Sequence, residues 1–162
     1  MGGAGDREDP RQGPAATARA ANATSAATLA TVAGQVSKDP PTSEVRPGWT
    51  AAAIFLHLAL WDRFVAARWR RAALLGHATP ESIGDGVVDL VNEAVVPTWA
   101  NVELTQAAHA ALEAARLADA TIAGLSDEAV IAVRAEGRPH LVDRSVHRLE
   151  HLSELQELIG RR

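Results

Sequence analysis

The chain has 162 residues, a formal net charge of −4 and no cysteine. That length supports one domain with a hydrophobic core. The missing cysteines exclude disulfides, thiolate metal sites and a cysteine nucleophile, and the acidic balance offers no concentrated positive face for nucleic acid.

No apolar run reaches the roughly 18–20 residues of a membrane span. The opening MGGAGDREDPRQGP lacks the apolar centre of a secretory signal. A cytoplasmic protein without a membrane partner is therefore expected. Alanine and leucine dominate, tyrosine is absent and only two phenylalanines occur. These are strong helix formers, so the chain reads as all-α.

Residues 1–13 are glycine-rich and charged, and are expected to form a disordered tail ahead of one helical domain over 14–162. A first helix is expected over about 15–36, where Leu29, Val32 and Val36 give a thin apolar stripe. Pro40, Pro41 and Pro47-Gly48 mark the following loop. The strongest helical pattern covers 49–75. Ile54, His57, Leu58, Trp61, Phe64, Val65 and Arg68 recur there every three or four residues, and Gly76 suits its end. Arg63, Arg68, Arg70 and Arg71 read as a solvated helix end.

A third helix is expected from Val87 to Ala123, kinked or broken at Pro97. Ser126 caps a short helix. Pro139 reads as the first turn of a last helix ending near Ile159.

Among six histidines, His77 lies in a connector and His109 between alanines, and both read as ordinary surface residues. His147 and His151 are four apart, so both imidazoles share one face of the last helix. Two nitrogens at that spacing can reach one metal ion. His57 lies within the apolar stripe of the second helix. A facing helix could add it to the pair as the third corner of a metal site, with coordination positions left open. As structural alternatives, the pair could be solvated and His57 a hydrogen-bonded core residue. His147 to His151 also fits the inverted zinc-protease pattern H-x-x-E-H. Glu150, however, is rotated about 100° from His151, and the short stretch after it offers no expected further acidic ligand.

Asn92, on the third helix, could orient water or substrate. Arg144, one turn before His147 and sharing its stripe with His140, could pair with a carboxylate. A helix-surface amide and a surface salt bridge are their structural alternatives.

In combination, GWTAAAIFLHLALWD (48–62), VDLVNE (88–93) and DRSVHRLEHL (143–152) resemble the DinB-like bundle superfamily, which includes the mycothiol-dependent maleylpyruvate isomerases. The resemblance covers about residues 45–160. It implies a four-helix bundle of up-down-down-up topology. It also implies a divalent metal, zinc or nickel, on His57, His147 and His151. The implied activity is that of a thiol-dependent transferase or isomerase, in which a low-molecular-weight thiol such as mycothiol is activated on the metal to attack an electrophilic substrate. A homodimer is a further expectation. Two other readings stand beside this one: a metal-dependent hydrolase using bound water, and a non-catalytic dimeric binding module.

Overall fold

The computed structural model describes residues 13–84 and 86–160. They are helical and connecting segments, with no strand among them, as the composition predicts. The expected tail lies outside the described residues except for Gly13, which caps the first helix.

Helix α1 spans Pro14–Lys38, with Pro14 in its first turn. It is longer than its sparse apolar stripe suggests. Leu29, Val32, Ala33 and Val36 are buried in its second half, whereas the first half buries Ala15, Ala18, Asn22 and Ser25. The pattern looks thin because part of the inward face is polar.

Helix α2, Ala51–Leu75, begins where the Thr50 hydroxyl accepts from the Ala53 amide at 3.1 Å. It stops at Gly76, whose φ of 73° is left-handed and suits a residue without Cβ. The expected third helix is two. Helix α3, Val87–Val95, runs into a 3-10 turn at Val96–Trp99 containing Pro97, and α4 restarts at Leu104 and ends at Ala123. Proline lacks the amide that would continue the ladder, so the chain tightens and leaves the axis. Helix α4 buries Ala107, Ala108, Ala111, Ala114, Ala115 and Ala118, and its most extensive packing is against α2. Small side chains allow that close approach.

Helix α5, Asp127–Ala135, is capped by Ser126, whose hydroxyl accepts from the Ala129 amide. The last helix starts later than its sequence suggests. Pro139–Leu141 is a separate 3-10 turn, and α6 runs Ser145–Gly160. Asp143 accounts for the restart: its carboxylate accepts from both the amide and the hydroxyl of Ser145 and so satisfies a donor that a helix start leaves free.

The core has two apolar parts. One holds Leu29, Ile54, Phe55, Leu58, Ala107, Ala108, Ala111, Ala114 and Ala115 of α4, Leu152 and Leu155. The other holds Ala15, Val65, Trp69, Ile122, Val130, Val133 and Leu141. On each long helix a polar residue lies between the two sets: Asn22 and Ser25 on α1, Asp62 on α2, Asp119 on α4, Arg148 on α6. These form one network, buried except for the partly exposed Asp119 at its edge. Asp62 takes Arg144 Nε and Arg148 Nε on its two oxygens, each at 2.8 Å, and Arg148 Nη2 also donates to Asp119 at 2.8 Å. Arg148 is fully buried. Asn22 Oδ1 accepts the Arg144 amide at 2.7 Å and its Nδ2 donates to the Val142 carbonyl at 3.0 Å. The layer fixes the start of α6 against α1 and α2, and so sets where His147 and His151 point.

No helix among the described residues is long and apolar enough to cross a membrane.

Candidate metal centre

Helices α2 and α6 bring His57, His147 and His151 together. The ring centroids are 5.0 Å apart for His57–His147, 4.6 Å for His57–His151 and 5.0 Å for His147–His151. One potential ligand atom from each lies within 4.8 Å of the others. His57 and His151 are buried and His147 is partly buried.

Two nitrogens already stand at ligand spacing. His57 Nε2 and His147 Nε2 are 3.0 Å apart. Metal–nitrogen bonds of roughly 2.0–2.1 Å at right angles would place their nitrogens about 2.9 Å apart. His151 uses Nδ1 to bond Glu154 Oε2 at 2.7 Å, which leaves Nε2 for coordination. A carboxylate behind a ligating imidazole orients the ring and raises its basicity. Glu154 is itself held by Arg46 at 2.8 Å, and Arg46 stacks over Trp49 at 3.9 Å. Trp49 in turn lies edge-on to His57 and parallel to His151.

Both facing imidazoles stay neutral well into acid. Burial, aided by the charges of His151, Arg46 and Arg144, pushes His57 down to about 3. Burial, then Arg144 and the two other histidines, pushes His147 to about 2. Neutral nitrogen is the ligating form, so protons do not compete for these two at physiological pH. His57 Nδ1 is buried without a hydrogen-bond partner. Leaving a buried donor unpaired costs about 1–3 kcal/mol, a cost that a purely structural core histidine would be expected to avoid. The residues therefore fit a divalent ion held by nitrogen ligands.

A cavity of about 380 Å³ opens beside the three rings. His57, His147, His151, Asn92 and Arg144 all line it, together with Trp49, Trp61, Phe64, Ile83 and Val88. Asn92 is no free surface amide: its Oδ1 accepts from Trp61 Nε1 at 3.1 Å. That bond ties α3, none of whose residues is buried, to α2. Arg144 is 3% exposed and ion-paired inside the protein, not on the surface. His140 lies on the 3-10 turn before α6 rather than on its stripe, and its carbonyl accepts from Arg144. Glu150 is exposed, as its helical position predicts. His77 and His109 lie at the surface near Glu81 and Glu113. Arg68 departs from the expected solvated helix end: it lines the cavity and donates to the Glu81 carbonyl.

Sequence reading passed over Asp62, Arg148, Glu154 and Arg46. Asp62 and Arg148 carried a signal, being opposite charges at core spacing, four residues from Leu58 and Leu152 respectively. Glu154 lies three residues after His151, a helical neighbour.

The chain matches no family model, no curated protein and no solved structure.

Proposed function

We propose that the protein holds one divalent metal ion, zinc or nickel, on His57, His147 and His151, and serves a transferase or isomerase reaction in which a small thiol is the nucleophile. The observation that carries the metal half is the three-histidine cluster bordering a cavity. A metal at such a site lowers the pKa of a bound thiol and presents it as the thiolate.

The cavity lining supports the thiol half. Among the described residues it contains arginine, histidine, asparagine and apolar side chains, and neither a serine or threonine hydroxyl nor a carboxylate. Among the described residues, none that lines the cavity offers a hydroxyl nucleophile or a carboxylate general base, and the Glu154 carboxylate is engaged behind His151. A thiol, whose ordinary pKa is far below that of water, needs less help from such a wall to reach its nucleophilic form than the water of the hydrolase reading, which would depend on the metal alone. The residues would divide the remaining work. Trp49, Trp61 and Phe64 would exclude water, Glu154 orients His151, and Asn92, its oxygen held by Trp61, borders the cavity. The DinB-like resemblance in residues 45–160 points to the same chemistry, to an up-down-down-up bundle and to a homodimer.

Cobalt substitution tests this reading. Titrating a small cysteine-derived thiol into cobalt-loaded protein should raise a saturable thiolate-to-metal charge-transfer band. A cobalt spectrum that does not respond to thiol would contradict it.

A further inference from the structure

The cavity is electrostatically one-sided. Among the described residues, Arg46, Arg68 and Arg144 line it and no aspartate or glutamate does. Two of these arginines are committed. Arg46 pairs with Glu154, and Arg144 gives its Nε to Asp62, Nη1 to the His140 carbonyl and Nη2 to His147. Arg68 differs. Its hydrogen bond goes to a backbone carbonyl, that of Glu81, its guanidinium lies 5.8 Å from the Phe64 ring, and it pairs with no carboxylate among the described residues.

Arg138 adds positive charge beside Arg68, although Arg138 is itself paired with Glu136. Burial and the neighbouring Arg138 both disfavour the charged form of Arg68. Nearby His140 is held below its ordinary value by burial and by Arg68, Arg144 and Arg138 together. A half-buried guanidinium among other cations, facing an apolar cavity, is a position that an anion would relieve.

Helical geometry orders the cavity wall. His57, Trp61, Phe64 and Arg68 follow one another along a single face of α2 at spacings of four, three and four. Arg68 therefore lies three turns from His57, about 16 Å along the axis, and side chains on a helix lean back toward its N-terminus. Between the two ends the wall is Trp61, Phe64 and Val65, with Ile83 and Val88 also lining the cavity. The volume falls within the roughly 300–1,000 Å³ typical of small-molecule sites.

We infer that Arg68 anchors the carboxylate of an amphipathic ligand whose apolar body lies along Trp61 and Phe64 and whose far end reaches the three-histidine centre. The inference rests on the reading of that centre as the reactive end of the cavity, and it supplies the substrate class: a monocarboxylate spanning roughly 10–16 Å, the lower figure allowing for the reach of the arginine side chain, with one charged terminus and an apolar middle. Arginine suits this role because its fork pairs with a carboxylate through two parallel hydrogen bonds.

Calorimetric titration of octanoate and of octanol, equal in chain length and different in charge, tests the anchor on the full chain, both metal-free and zinc-loaded. Octanoate should bind metal-free wild type about tenfold or more tightly than octanol. Arg68→Gln should bring octanoate down to the octanol level and leave octanol unchanged, with zinc stoichiometry intact. Arg68→Lys, which keeps the charge, should retain most of the preference, and equal thermal midpoints would show that the variants are folded. Equal affinity for acid and alcohol, failure of octanoate to bind, or a preference untouched by Arg68→Gln would overturn the anchor even if zinc binds. Octanoate bound through Arg68 by a protein that never takes up zinc would leave the anchor standing and overturn the metal reading instead.

Discussion

Arg144 Nη2 donates to Nδ1 of His147 at 3.0 Å. A guanidinium has no acceptor, so this bond fixes the tautomer. The His147 proton lies on Nε2 and is donated to His57 Nε2, 3.0 Å away, and the His57 proton is left on its unpartnered Nδ1. A metal on His147 Nε2 would require the proton at Nδ1, where it would face the Arg144 N–H. Arg144 therefore stabilises the metal-free site and must shift when an ion enters. Arg144→Gln, whose amide oxygen can accept from Nδ1–H, should bind zinc more tightly, by roughly tenfold, the lower end of outer-shell effects on metal affinity. Competition against a zinc indicator measures this. Equal or weaker affinity would contradict the tautomer argument.

Glu154 acts in the opposite sense. Its carboxylate accepts from His151 Nδ1 at 2.7 Å, the arrangement that metal binding at Nε2 demands. Glu154→Ala should weaken zinc binding about 10- to 100-fold while the helical signal is unchanged. Unaltered affinity would remove Glu154 from the centre.

Asp62 is the hub of the buried ionic layer. Its two oxygens hold Arg144 and Arg148, whose side chains are 4% and 0% exposed. Asp62→Ala would leave Arg144 without a carboxylate partner, while Arg148 keeps Asp119. Removing one partner of a buried pair typically costs about 3–5 kcal/mol. Urea unfolding should show a loss of that order, against under about 0.5 kcal/mol for a surface change such as Glu150→Ala. A small loss at Asp62 would mean that the layer is solvated.

The metal-free protein should lose stability in mild acid. His57 and His147 titrate near 3 and 2 in the fold and near 6.5 when unfolded. Between those values the unfolded chain binds protons that the folded chain refuses. The stabilisation is complete above about pH 6.5 and is lost as pH falls toward 3. The slope approaches about 1.4 kcal/mol per pH unit for each histidine. Thermal midpoints of chelator-treated protein should fall between pH 7 and pH 5. A flat profile over that range would contradict the burial of both rings.

The three histidines were legible in the sequence because each carries a local mark: two are four apart on one helix, and the third interrupts an apolar stripe. Their meeting was only an expectation, since His57 and His147 are 90 residues apart. The ionic layer was harder to see. Asp62 and Arg144 are separated by 82 residues, and a charged residue on a helix ordinarily reads as solvated. The same prior placed Arg68 at a solvated helix end and made a surface salt bridge the alternative for Arg144. Pro97 marked the break between α3 and α4, whereas Pro139 suggested too early a start for α6. The capping carboxylate of Asp143 became visible only with the backbone in place.

Metal stoichiometry on His57→Ala tests the central claim most directly. Elemental analysis of untagged protein after zinc loading and gel filtration should give about one ion per chain for wild type and a small fraction of that for the variant. The thermal midpoint of the metal-free variant should stay near that of wild type, because alanine favours helix and the apolar stripe of α2 remains. A His57→Ala protein that keeps its full zinc content but unfolds at a lower temperature would make His57 a structural core residue and contradict the three-histidine centre.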